Sequence, residues 1–206
     1  LVVGSRLRGH ETQDFSMPLP ATRIHVDVNP AANGRTYSST VFVTGDAALT
    51  MAALADRLRG RMAVEPGFAA DFQVMKQRAV AAFTEGLGPY AEFPRLLREA
   101  LPRDALWVRD ITISNSSWGN RIFPVYGPRD AVHPVSAAIG PGLPMGIGAA
   151  MAAGGRKTIA MVGDGGFALN QTELWTAVQE RAELVVMIMN DRGYGVIKHI
   201  QGALQD

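Results

Sequence analysis

TIAMVGDGGFALNQTELWTAVQERAELVVMIMNDRGYG, residues 158–195, decides the fold. Thr158 to Val162 is an apolar run of strand length, broken by Gly163-Asp164-Gly165-Gly166. Asn170-x-x-Glu173 has capping-box spacing and predicts a helix start. Leu174, Ala177 and Val178 predict one apolar stripe along that helix. Leu184 to Met189 is a second apolar run, and Asn190-Asp191-Arg192-Gly193 ends it. Strand, crossover helix and strand make a right-handed parallel βαβ unit, whose strands end at the same sheet edge. Asp164 ends the first strand and Asp191 the second. Adjacent strands lie about 5 Å apart, so the two carboxylates can converge on one small cation.

The flanking chain extends this into an α/β protein with parallel sheets in a three-layer, Rossmann-like arrangement, made of two partial domains. Residues 1–60 predict three strands, near Leu1–Ser5, Arg23–Pro30 and Thr40–Thr44, and a helix from Ala47 to Leu58. Asp27 stands where acidic residues of dinucleotide folds hold a ribose; capping of turns by Asp27 and Asp46 is the simpler role. Residues 61–75 are assigned to a linker, with Phe68 to Phe83 helical and Phe72, Met75, Val80 and Phe83 partly buried. Residues 76–206 form the second domain. In it, Ala105–Val108 predicts a strand, Asp110–Ser117 a hydroxyl-rich loop at the ligand-binding edge, and Gly146–Gly154 a closely packed helix of small residues. Met145, just before that helix, is by itself core filler. The chain begins as if inside a strand and stops as if inside a helix, which predicts a piece of a longer protein.

Composition narrows the function. Of 206 residues, 47% are hydrophobic, enough for a packed core. Twenty Lys and Arg against 19 Asp and Glu give a net charge of +1, which favours neither nucleic acid nor an anionic membrane. With no cysteine, thiolate metal sites and disulfides are excluded. No signal peptide or apolar run of transmembrane length is found, and a cytoplasmic location is expected.

Gly163-x-Gly165-x-x-Ala168 formally matches the dinucleotide fingerprint, which would make this a NAD-type oxidoreductase domain. Asp164 argues against that. A carboxylate about 4 Å from a bare diphosphate charge costs roughly 4 kcal/mol at an effective dielectric of 20. A divalent cation between them reverses the sign, and Mg²⁺ favours one or two carboxylates plus substrate phosphates. The amides of Gly165 and Gly166 can then cradle phosphate. A non-catalytic binding protein with a degenerate fold is the remaining alternative.

Gly163-Asp164-Gly165, then 25 residues, then Asp191 resembles the metal and cofactor motif of the thiamin diphosphate-dependent enzymes, the acetolactate synthase and benzoylformate decarboxylase kind. Glu173–Gln179 and Met187–Gly195 look similar as well, and Ile24–Pro30 resembles the end of the family's central domain. The resemblance implies thiamin diphosphate and Mg²⁺ as cofactors, with Asp164, Asp191 and the Gly193 carbonyl as metal ligands. The family more often has Asn where Asp191 stands, and Asn190 is the fallback ligand. It further implies that Gly165, Gly166, Tyr194 and Thr112 donate to the diphosphate. Met145 would wedge the cofactor into its bent form, and the Leu143 carbonyl would accept from the aminopyrimidine. Val196 and Ile197 would line the substrate pocket; an acidic residue at position 197 would have indicated pyruvate decarboxylase.

The implied activity is decarboxylation or carboligation of a small 2-oxo acid by a homodimer or homotetramer. The activating glutamate of the family belongs to a domain outside these residues, so no catalytic residue is assigned and the isolated chain is expected to be inactive. FAD is compatible with the central domain, but no residue supports it.

Overall fold

The computed structural model describes residues 1–135 and 137–205, without the side chains of His10 and Gln205. Asp206, the end of the sequence-predicted terminal helix, lies outside the described residues. The chain divides into two compact units, Leu1–Ala70 and Asp71–Asp206.

In the first unit, β1 (Val2–Val3), β2 (Ile24–Asp27) and β3 (Val41–Thr44) form a parallel sheet in that order. Helix α1 (Ala47–Leu58) follows. Asp46 caps it, accepting the Leu49 N–H at 2.9 Å. Asp27 accepts the Asn29 N–H at 2.8 Å. Both aspartates therefore shape turns. The buried core here is thin, centred on Val26 and on His25, whose Nε2 pairs with the Ser5 carbonyl at 3.0 Å.

The second unit carries the site. Its elements are α2 (Phe68–Glu85, beginning in the first unit), α3 (Phe93–Ala100), β4 (Leu106–Arg109), β5 (Ala131–Val132), α4 (Gly142–Ala152), β6 (Thr158–Gly163), α5 (Asp164–Asn170), α6 (Leu174–Gln179), β7 (Leu184–Met189) and α7 (Gly195–Gln205). The sheet order is β5-β4-β6-β7, parallel throughout, with β7 at one edge. Side chains alternate across a strand, so each apolar run feeds both faces. One face packs Trp107, Ile159 and Met161 on Trp118, Phe123, Leu97 and Leu101. The other face packs Leu184 and Val186 on Leu143, Ile147, Phe167 and Ala177. Helices therefore cover both sides in three layers. Gly146 lets α4 lie directly on β6: a Cβ there would fall 2.8 Å from the Ala160 methyl.

Several local expectations differ. Helix α2 starts at Phe68 as expected but runs on to Glu85, so residues 68–75, grouped with the linker, are already helical. Phe72, Met75 and Val80 are exposed rather than partly buried. The Asp110–Ser117 stretch leads into a π-type turn, Asn115–Gly119, because Trp118 buries completely beneath it. Helix α4 starts at Gly142, not Gly146. The Asn170/Glu173 capping box does not form. Helix α5 already begins at Asp164, and Asn170 donates instead to the distant Gly140 carbonyl at 3.0 Å. Of the Leu174, Ala177 and Val178 stripe, only Ala177 is buried, because six-residue α6 meets the sheet through that position alone.

Candidate functional site

Parallel strands end together, and at this edge β4, β6 and β7 deliver three turns to one cavity of about 580 Å³. Register pairs Gly163 with Met189, so Asp164 follows beside Asn190. The Asp164 Oδ2 accepts the Gly193 N–H at 2.9 Å, tying the two turns together. The Asn190 side-chain oxygen accepts the Arg192 N–H at 3.0 Å, and Arg192 takes the left-handed conformation, φ 62°. The Gly193 carbonyl accepts the Gly195 N–H at 3.0 Å and keeps a second lone pair.

Glycines in these turns leave room for the side chains that lie over them. A Cβ at Gly195 would sit 2.1 Å from Asp191 Oδ2, and one at Gly165 would sit 2.7 Å from the Tyr194 ring. Gly165 and Gly166 open α5, where N–H groups lack helical acceptors. Thr112 packs its methyl toward Gly163, and its oxygen accepts the Asn115 N–H at 3.0 Å, leaving the hydroxyl proton to donate. Arg109 fixes this turn from beneath by donating to Asn115 Oδ1 at 2.8 Å; burial lowers its pKa from the ordinary guanidinium value.

Of the residues singled out by sequence, the cavity brings together Thr112, Asp164, Gly165, Gly166, Asn190, Asp191, Gly193, Tyr194, Val196 and Ile197. It does not bring Leu143 or Met145, which are absent from its walls. Because α4 starts at Gly142, the Leu143 side chain is buried against the sheet and its carbonyl enters the helical ladder. Met145 is carried inside the same first turn. Ala137 and Ile139, from the segment before α4, line the cavity instead, with Tyr90 and Phe93 on another wall. Pro144 was the available signal: proline belongs in a first helical turn, which places the helix start upstream of Gly146.

Asp110, read in the sequence only as the start of a loop, is a further residue given no role there. It is completely buried at the end of β4. Its Oδ2 accepts the Gly140 N–H at 2.9 Å and its Oδ1 the Ile111 N–H at 2.8 Å. Burial raises its pKa above the ordinary carboxylate value, partly offset by hydrogen bonds from the Ile111, Gly140 and Gly142 backbone.

Among the described residues, Asp164 and Asp191 are the charged side chains lining the cavity; no Lys, Arg or His does so. No three His, Cys, Asp or Glu side chains converge among the described residues either. A cation here would thus have two carboxylates and would need backbone or ligand oxygens to complete its shell.

Residues 112–205 match the family model described as thiamine pyrophosphate enzyme, C-terminal TPP binding domain. The chain belongs to the thiamine pyrophosphate enzyme family. Similar members include a probable 2-ketoarginine decarboxylase of Pseudomonas aeruginosa, 32% identical over 96% of this chain and 36% of that protein. Benzoylformate decarboxylase of the same organism is 28% identical over 92% of the chain and 34% of the relative. The catabolic acetolactate synthase of Raoultella terrigena is 30% identical over 86% and 33%. The chain therefore spans about a third of the length of these relatives. Among solved structures, a thiamine diphosphate-dependent 4-hydroxybenzoylformate decarboxylase of Rhodococcus jostii superposes with TM-score 0.64 at 22% identity, covering 92% of this chain and 34% of that one, and shares the fold. Among the described residues, no helix is long and apolar enough to cross a membrane.

Proposed function

We propose that the chain anchors the cofactor of a thiamin diphosphate- and Mg²⁺-dependent enzyme that decarboxylates or ligates small 2-oxo acids, as a cytoplasmic homodimer or homotetramer. One observation carries the reading: among the described residues two carboxylates and no basic side chain line a cavity edged by the amides of a helix start. That donor set repels a bare diphosphate and suits a diphosphate bridged by a hard divalent cation.

Asp164 and Asp191 would hold the ion with the free lone pair of the Gly193 carbonyl. Asn190, a neutral amide whose oxygen also accepts the Arg192 N–H, would be the fallback ligand. The amides of Gly165, Gly166 and Tyr194 and the Thr112 hydroxyl would donate to the diphosphate. Ile139 takes over the apolar wedge expected of Met145, and the 137–139 segment the acceptor role expected of Leu143, because these residues reach the cavity. Val196 and Ile197, with Tyr90 and Phe93, would exclude water around the substrate. Bound thiamin diphosphate supplies the carbon nucleophile and the electron sink for loss of CO2; the protein supplies position and electrostatics. No acid or base within the chain is assigned to proton transfer, and the chain by itself is expected to bind cofactor without turnover.

Thermal denaturation tests the proposal. Thiamin diphosphate with Mg²⁺, at a hundredfold excess over its Kd, should stabilise by about 2.7 kcal/mol, a shift of about 5–10 °C. EDTA should cancel the shift, and Asp164→Ala should abolish it. Metal-independent stabilisation by NAD⁺ would instead favour the dinucleotide reading.

A further inference from the structure

Gly140 is held on both sides of its backbone by side chains from two different elements. Its N–H is bound by Asp110, at 2.9 Å to Oδ2 and 3.1 Å to Oδ1, from the end of β4. Its carbonyl accepts from Asn170 Nδ2 at 3.0 Å, from the end of α5. The residue stands at φ 107°, open to glycine and rarely to other residues. A Cβ there would meet Asn170 Nδ2 at 2.9 Å. Asp110 also lies against α5's first turn, since a Cβ at Gly166 would fall 2.6 Å from its Oδ2. The clasp therefore joins β4, the segment before α4, and both ends of α5. Shortly before Gly140 stand Ala137 and Ile139, which line the same cavity as the Gly163–Gly166 turn. A completely buried carboxylate is costly to keep unless its hydrogen bonds hold something in place.

We propose that Asp110 and Asn170 are positioning residues whose clamp on Gly140 sets the 137–139 wall at a fixed distance from the diphosphate-binding turn, and so holds the thiamin half of the cofactor. The inference rests on the cofactor reading above. It separates the two halves of the ligand: the diphosphate end depends on Asp164, Asp191 and the α5 amides, and the ring end depends on the clamp.

The test is calorimetric titration of the full 206-residue chain with Mg²⁺ and either inorganic pyrophosphate or thiamin diphosphate. In Asp110→Asn and Asn170→Ala, the Kd for Mg-pyrophosphate should stay within about threefold of the parent, while that for Mg-thiamin diphosphate should rise about ten- to a hundredfold, the loss expected for one or two such hydrogen bonds. The near-ultraviolet dichroism of bound thiamin diphosphate should weaken in parallel, because the ring is no longer held in one orientation. Asn170 is only partly buried, so Asn170→Ala decides the matter if Asp110→Asn does not fold. Equal weakening of both ligands, or an unchanged Kd for thiamin diphosphate, overturns the clamp. A parent chain that binds neither ligand with Mg²⁺ overturns the cofactor reading itself, and the clamp with it.

Discussion

Two side chains near the cavity show how residue roles depend on a shift of a few positions. Met145 and Ile139 are both bulky and apolar, yet only Ile139 borders the space. Ile139→Ala should weaken Mg-dependent binding of thiamin diphosphate by about tenfold, the loss of roughly 1.5 kcal/mol of apolar contact. Met145→Ala should alter stability and leave that affinity within about twofold; titration of both variants compares them. Asp110 makes a separate prediction in pH. Its folded-state pKa lies above the ordinary 3.8, chiefly through burial. Between those two values the native state keeps a proton that the unfolded state has released, so this residue's contribution to stability falls as pH rises through the window. Urea unfolding from pH about 4 upward should show that slope in the parent and its absence in Asp110→Asn.

The elements differ in how plainly their sequences announce them. Strands β6 and β7 were legible because each is an apolar run of strand length closed by a glycine or acidic turn. The site turns came with them: once the strands are parallel, Asp164 and Asp191 must share an edge. What stayed hidden depended on partners distant in sequence. Asn170 looks like a local cap, but its amide is claimed by Gly140, thirty residues upstream. The glycine-rich start of α4 looks irregular, but Pro144 and the fit of Gly146 against Ala160 make it helical. Asp110 looks like another loop acid until the close approach of Gly142 and Gly166 seals it in. One element also carries an unrelieved defect. Thr158 opens β6 completely buried, with no hydrogen-bond partner for its hydroxyl among the described residues. Thr158→Val should stabilise the protein by about 1 kcal/mol, raising Tm by roughly 2–4 °C in a calorimetric scan.

Across the whole molecule, stability is unevenly spread. The first unit buries few large side chains, whereas the second has two apolar clusters on opposite faces of its sheet. Amide hydrogen exchange, which reports local opening free energies, should therefore be fastest in the first unit's strands and slowest in β6, which is paired on both sides. Strand β7 is bonded on one side only, and along any strand successive amides point to opposite neighbours. Protection across Leu184–Met189 should consequently alternate residue by residue, slow toward β6 and fast toward the open edge. The strand that carries the chain to Asp191 is thus a rigid half-ladder, and its exchange pattern is a direct reading of the boundary of the sheet.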